Sequence, residues 1–379
     1  MSLAPCPHRP PCPGCPRFGE RGPAPAALAR LAAIARAAGI PGPTVESGAC
    51  EGHRHRARLM VRGRATSPKI GLFQEGTHRI VDVPRCGVHH PRINEAAAAV
   101  RRAMREVGAA PYADRPHAGL VRAIQAVVER PSGRVQLVLV TNDASPDTAR
   151  PLARAVEREL GDALHSLWWN GNSERTNVIL GPHWQRLTGP PAVREEIGGV
   201  GVHYPPGAFG QSHLALADRL AARVAGWIPD GSRVLEFHAG CGALGLGWLS
   251  RIARLDCNEV AAPGLEGLAL GLAERPADER ARARVLAGRA SEHLDGIGEA
   301  GVVVVDPPRR GLEPALLARL AGDPPARLVA VACGLDAFER ETAALLAGGR
   351  LALAELHAFD LFPFTEHVET LARFERRTA

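Results

Sequence analysis

The sequence predicts an α/β protein with a doubly wound, mostly parallel sheet at its carboxyl end. An α+β domain and a cysteine-rich arm precede that sheet. Three observations carry this reading. Beyond about residue 200, short apolar runs alternate with helical patterns of ten or more residues, the rhythm of βαβ units. From about residue 50 to 199, strand-like runs are punctuated by turn residues such as Pro131-Ser-Gly. At the amino end, Cys6, Cys12 and Cys15 lie among prolines that forbid regular structure. The expected division is 1–45 for the arm and a linker helix, 46–199 for a central domain and 200–379 for the parallel-sheet domain.

The elements follow in order. An Ala- and Arg-rich stretch, 17–40, reads as an amphipathic helix with Leu28, Leu31 and Ala35 on one face. Strands are expected at 58–62, 69–74 and 78–83, then a helix at 94–107. Runs 120–128 and 134–140 flank the Pro131-Ser-Gly hairpin signal, and 147–160 reads as a helix. The parallel strands are the runs 234–237, 255–260, 302–305 and 328–332.

Composition excludes several classes. Hydrophobic residues at 45% and charged residues at 23% are those of a globular protein, not a disordered or collagen-like one. No run reaches the roughly 20 apolar residues of a membrane span. The net charge of +6 is almost all arginine, because Lys69 is the one lysine, so it says little about a polyanionic partner. The first residues, Met1-Ser-Leu-Ala-Pro-Cys-Pro-His-Arg, lack an apolar signal core. A reducing cytoplasm is therefore expected, where eight cysteines point to metal or catalysis before disulfides.

Ligands of doubly wound sheets sit at the carboxyl ends of the strands, so residues just past each run are the candidates. After the first comes His238-Ala-Gly240-Cys-Gly242-Ala-Leu-Gly245, a G-x-G-x-x-G pattern read as joining a strand to a helix. Glu259 ends the second run, where a carboxylate can accept ribose hydroxyls. A dinucleotide and S-adenosylmethionine both fit this pattern. Asp306-Pro-Pro-Arg-Arg-Gly then places a carboxylate and a rigid turn at the ligand edge, which favours methyl transfer to a planar base over hydride transfer. Cys333 follows the next run, where a thiolate can attack a bound electrophile. Glu366 and Glu369 are carboxylates on a late strand. Cys6-x5-Cys12-x2-Cys15 suits an iron–sulfur cluster or zinc, with His8 as a minor candidate ligand.

Together these residues resemble the RNA (uracil-5-)-methyltransferases. Asp306-Pro-Pro-Arg-Arg-Gly-Leu, Val331-Ala-Cys333-Gly334 and His367-Val-Glu369 are similar to three signatures of that family, in order. Phe209-Gly-Gln211-Ser-His213 resembles its Phe-Phe-Gln-x-Asn segment. The His-Arg-His-Arg-Ala-Arg-Leu-Met run before Val61 resembles the opening of its central domain. The arm cysteines with Cys86 resemble the [4Fe–4S] site of its ribosomal members, and the length is most like the compact branch acting on 23S rRNA.

The resemblance implies a Rossmann-like, seven-stranded S-adenosylmethionine-dependent methyltransferase domain, a central RNA-binding domain and an iron–sulfur arm. It implies Cys333 as nucleophile and Glu369 as base, with Gln211, His238, Gly240, Gly242, Glu259 and Asp306 around S-adenosylmethionine. It implies Cys6, Cys12, Cys15 and Cys86 as cluster ligands. The expected partner is RNA, rRNA before tRNA, with the target uridine flipped out of a loop. A monomer with no membrane association is expected. A non-catalytic RNA-binding relative and a nicotinamide-dependent oxidoreductase are the alternatives. The chain departs from the family pattern at Gly210, His213, His238, Arg289 and Gly334.

Overall fold

A computed structural model describes residues 5–377. The chain forms two compact units. The first takes the arm up to Gly19, Ala49–Glu195 and Pro205–Gly207; the second takes Glu20–Gly48, Glu196–Tyr204 and the chain from Ala208 onward.

The first unit is built on a seven-stranded sheet. Its spatial order is Ile80–Asp82, Ser67–Phe73, Arg56–Arg64, Val121–Val128, Val135–Thr141, Leu164–Gly171 and His183–Thr188. All neighbours are antiparallel except Val135–Thr141 and Leu164–Gly171, which run parallel. This one parallel pair departs from the hairpin pattern that Pro131-Ser-Gly suggests for the domain. The helix Arg150–Leu160 intervenes between those two strands and supplies the crossover that parallel pairing needs. The Pro131-Ser-Gly hairpin forms as expected, with Gly133 N–H donating to Glu129 O at 2.9 Å. Helices Pro91–Glu106 and Arg150–Leu160 cover one face. There Ile93, Val100, Met104, Leu152 and Val156 pack on Leu59, Ile124, Leu137 and Leu139.

The second unit carries an eight-stranded sheet. Its order is Thr44–Glu46, Leu351–Phe359, Glu369–Arg376, Arg327–Ala332, Val302–Val305, Arg233–Phe237, Arg254–Glu259 and Ala283–Ala287. Every pair is parallel except those of Glu369–Arg376, which is antiparallel to both neighbours. The Val302–Val305 run is continuous because both its faces are covered. Val302 and Val304 enter one core, Val303 and Val305 the other.

Two expectations change here. Seven strands were expected, and Thr44–Glu46 adds an eighth by pairing with the otherwise open edge of Leu351–Phe359. The linker helix, Pro25–Ala37, was grouped with the arm, yet it buries Ala27, Leu31 and Ala35 in the core of the second unit. Burying a leucine such as Leu31 contributes about 1.5–3 kcal/mol. The half-exposed Arg30, which pairs with Asp336 and Glu339 at 2.6 Å, adds at most about 1 kcal/mol. Packing therefore decides where this helix belongs.

Candidate active site and cysteine site

The strand register gathers the candidate residues. Phe237 lies beside Asn258 on one side and Val305 on the other, so the glycine loop, Glu259 and Asp306 leave the sheet at one edge. Ala332 pairs with Thr370 in the antiparallel register, and one further step sets Cys333 beside Glu369. Two candidate residues distant in sequence thus meet because the last strand returns in the opposite direction.

The glycine loop holds His238 at φ 60 and Gly242 at φ 81. A Cβ at Gly242 would lie 2.7 Å from Leu246 Cγ, so only glycine fits this turn. The loop does not open an α-helix, as the pattern suggested, but a 3-10 turn at Gly245–Trp248. Glu259 braces it: Oε2 accepts from Gly240 N–H at 2.8 Å, and Oε1 accepts from Val260 and Ala261 at 2.7 and 2.6 Å.

Sequence reasoning missed Glu236. It is a carboxylate inside the apolar run Arg233–Phe237, and that intrusion was the available signal. Burial, then the nearby Asp306, pushes Glu236 up to about 8, while the Gly245 N–H donates to it. Burial also pushes Asp306 up to about 7. Glu369 is only 1% exposed, and its Oε2 has no hydrogen-bond partner. Burial and then Asp306 push it well above the usual carboxylate range. The Cys333 thiol is pushed up to about 11 by burial, then by Glu369 and Asp306. Arg309 opposes both of the last two shifts.

The Pro-Pro-Arg-Arg-Gly loop is gripped from the helix Leu335–Ala347, where Glu341 Oε1 accepts from Leu312 N–H at 2.7 Å. The departure at Gly334 has a physical reason: a Cβ there would lie 2.3 Å from the Arg309 carbonyl. The departure at His213 has another. Its side chain caps the helix Leu214–Gly226 by accepting from Leu216 N–H. Arg289, another departure from the family pattern, donates to Glu313 at 3.3 Å, so a carboxylate reaches this edge from the neighbouring loop. Glu313 and Glu259 both face His238 electrostatically. Gln211 lies half-buried just ahead of the Leu214–Gly226 helix, with no hydrogen bond to the strand-end carboxylates. Glu366 lies before the last strand, not on it.

The first unit gathers the other candidates. Cys6, Cys12, Cys15 and Cys86 are all free thiols. Cys15 is pushed up to about 11 by burial, then by the proximity of Cys86, Cys12 and Cys6, so all four act on one region. His8 is otherwise engaged, accepting from Arg85 N–H at 3.3 Å and tying the arm to the residue before Cys86. Among the described residues no three His, Cys, Asp or Glu side chains stand in a cage for a metal ion. A tetrahedral zinc would need sulfurs about 3.8 Å apart. A cubane cluster spaces them more widely, and four soft thiolates are its usual donor set. The donor chemistry therefore suits a cluster.

No protein-family model matches the chain. It is 35% identical over 340 residues to an uncharacterized RNA methyltransferase of Protochlamydia amoebophila, covering 88% of each chain. It is 30% identical over 332 residues to an uncharacterized RNA methyltransferase of Geobacter sulfurreducens, covering 84% of this chain but 65% of that longer one. The fold is similar to that of the tRNA (uracil-54, C5)-methyltransferase of Pyrococcus abyssi, solved in complex with S-adenosyl-L-homocysteine. The TM-score is 0.78 at 23% identity, over 97% of this chain and 86% of that one. The chain belongs to the RNA methyltransferase family. The expected resemblance is borne out as membership of the RNA methyltransferase family, with a fold shared with the Pyrococcus abyssi enzyme.

Proposed function

We propose that this protein methylates C5 of a uridine in RNA, using S-adenosylmethionine and Cys333 as a covalent nucleophile. The observation that carries the reading is the meeting of Cys333, Glu369 and Asp306 at one strand edge. The acid-rich edge also discriminates between the two cofactors that the glycine pattern allowed. Glu236, Asp306 and Glu369 offer a pyrophosphate no positive charge, and the loop lacks the α-helix amino terminus that usually receives one. The same carboxyls suit a cation.

When bound, S-adenosylmethionine would supply a methyl group on a positively charged sulfur. Cys333 Sγ adds to C6 of the flipped uracil, leaving electron density at C5. After C5 is methylated, Glu369 in its carboxylate form takes the C5 proton and the C6–S bond breaks, restoring Cys333 and the uracil ring. Burial keeps the Cys333 thiol protonated at neutrality, and Arg309 is the group on this chain that favours its thiolate. Gln211, His238, Gly240, Gly242, Glu259 and Asp306 are assigned to the methyl donor.

The same reading gives the arm a [4Fe–4S] cluster on Cys6, Cys12, Cys15 and Cys86, a staple for a segment without regular structure. The four mutually interacting thiols support it. The central domain, 46–199, is assigned to RNA binding and to supplying Cys86. For the substrate, 23S rRNA follows from the resemblance to the compact ribosomal branch. A tRNA target is the second reading, favoured by the fold shared with the Pyrococcus abyssi enzyme. Incubation with 23S rRNA and tRNA transcripts, followed by mass-spectrometric mapping of 5-methyluridine, decides between them. Absence of 5-methyluridine in both would overturn the proposal.

A further inference from the structure

Arg54 is fixed beside the chain that follows Cys86. Gly52 N–H donates to Gly87 O, Arg54 N–H to Val88 O and His90 N–H to Arg54 O, each at 2.9 Å. Arg54 and His89 are thereby bridge partners. The Arg54 side chain runs into the protein, and its Nε is buried without a hydrogen-bond partner.

Four other arginines of this unit are satisfied. Arg58 donates to Gln125 at 2.7 Å, Arg62 pairs with Asp114 at 3.1 Å and Arg101 with Asp82 at 2.6 Å. Arg122 donates to the carbonyls of Asn172, Glu174 and Thr176. Among the described residues, no carboxylate pairs with Arg54. The groups that favour its charge are Cys86 and Cys15. A buried guanidinium without an anion is unfavourable, so this position makes physical sense when negative charge gathers on the cysteines.

We propose that Arg54 is the built-in counter-charge of the four-cysteine site, where it offsets the negative charge of the loaded site and raises its reduction potential. This rests on the cluster reading above. Four thiolates and a cluster carry net negative charge, and reduction adds one electron to it. A fixed cation in a low-dielectric surrounding favours that more negative form. Arg54 is a positioning residue, because it acts on the cluster through charge and takes no part in methyl transfer.

The test compares anaerobically reconstituted full-length wild type with Arg54→Gln, Arg54→Met and Arg54→Lys. Iron and sulfide content, the midpoint potential and the rate of iron release to a chelator are read for each. The expected result is a lower midpoint and about tenfold faster iron release in both neutral variants, with wild-type behaviour in Arg54→Lys. Unchanged midpoint and release in the neutral variants would overturn the proposal. So would a shift in Arg54→Lys as large as theirs, since shape and not charge would then matter. Wild type that takes up no iron and sulfide would instead overturn the cluster reading. In that event cobalt(II) titration of the same proteins reads Arg54 by itself. About tenfold weaker thiolate–cobalt binding in the neutral variants is expected, and equal binding contradicts the role.

Discussion

In the second unit, buried Glu236 and Glu369 and half-buried Asp306 bring three carboxyls to one strand edge, facing an exposed Arg309. In the first unit, Arg54, its Nε buried, faces Cys15 and Cys86 with no carboxylate partner among the described residues. One site holds surplus acid and the other surplus base. Neither imbalance helps folding: burial disfavours ionisation of the carboxyls and leaves the guanidinium without an anion. On the proposed function each complements a charged ligand: a sulfonium for the acids, an anionic cluster for the arginine. The proposal thus assigns opposite charge preferences to the two sites.

The contrast can be broken at several points. Cys333→Ala is expected to reduce methyl transfer by about 10³-fold or more while leaving donor binding intact, measured by turnover and calorimetry. Glu369→Gln is expected to slow turnover by about 10²–10⁴-fold while the covalent RNA adduct persists, since addition precedes proton removal. A smaller effect is expected for Asp306→Asn, with donor affinity about tenfold weaker. Its pH dependence sharpens the point. A cation favours ionised Asp306, whose carboxyl sits near 7 without ligand, so wild-type affinity should rise as pH climbs through 7. Asp306→Asn should flatten that rise, and an unchanged profile would show that the acids do not serve the donor. A comparable effect concerns Phe209, 72% exposed beside the Gln211 segment. Phe209→Ala should weaken RNA binding by about 1–3 kcal/mol in a filter-binding titration, if a base stacks there.

Much of this was legible in the chain. The runs at Val302–Val305 and Arg327–Ala332 showed themselves by unbroken apolarity, because both faces of the sheet are buried. Thr44–Glu46 did not, since three residues at an edge carry no periodicity and gain their identity from the strand they cover. The turn at Gly245–Trp248 was hidden because glycine spacing reports backbone freedom, not the helix type that follows. Cys333 and Glu369 were recognisable as residue types, yet their meeting depends on the antiparallel return of the last strand. Arg54 was one arginine among many. Its burial without a partner comes from a backbone ladder to the Cys86 loop, which only the fold creates.

The central claim is the covalent role of Cys333. Incubation with the methyl donor and RNA carrying 5-fluorouridine blocks the final proton removal and traps the adduct. Peptide mass spectrometry should then find the nucleotide on the peptide containing Cys333, and no adduct in Cys333→Ala. Absence of an adduct in the wild type, or an adduct on another residue, would contradict the account.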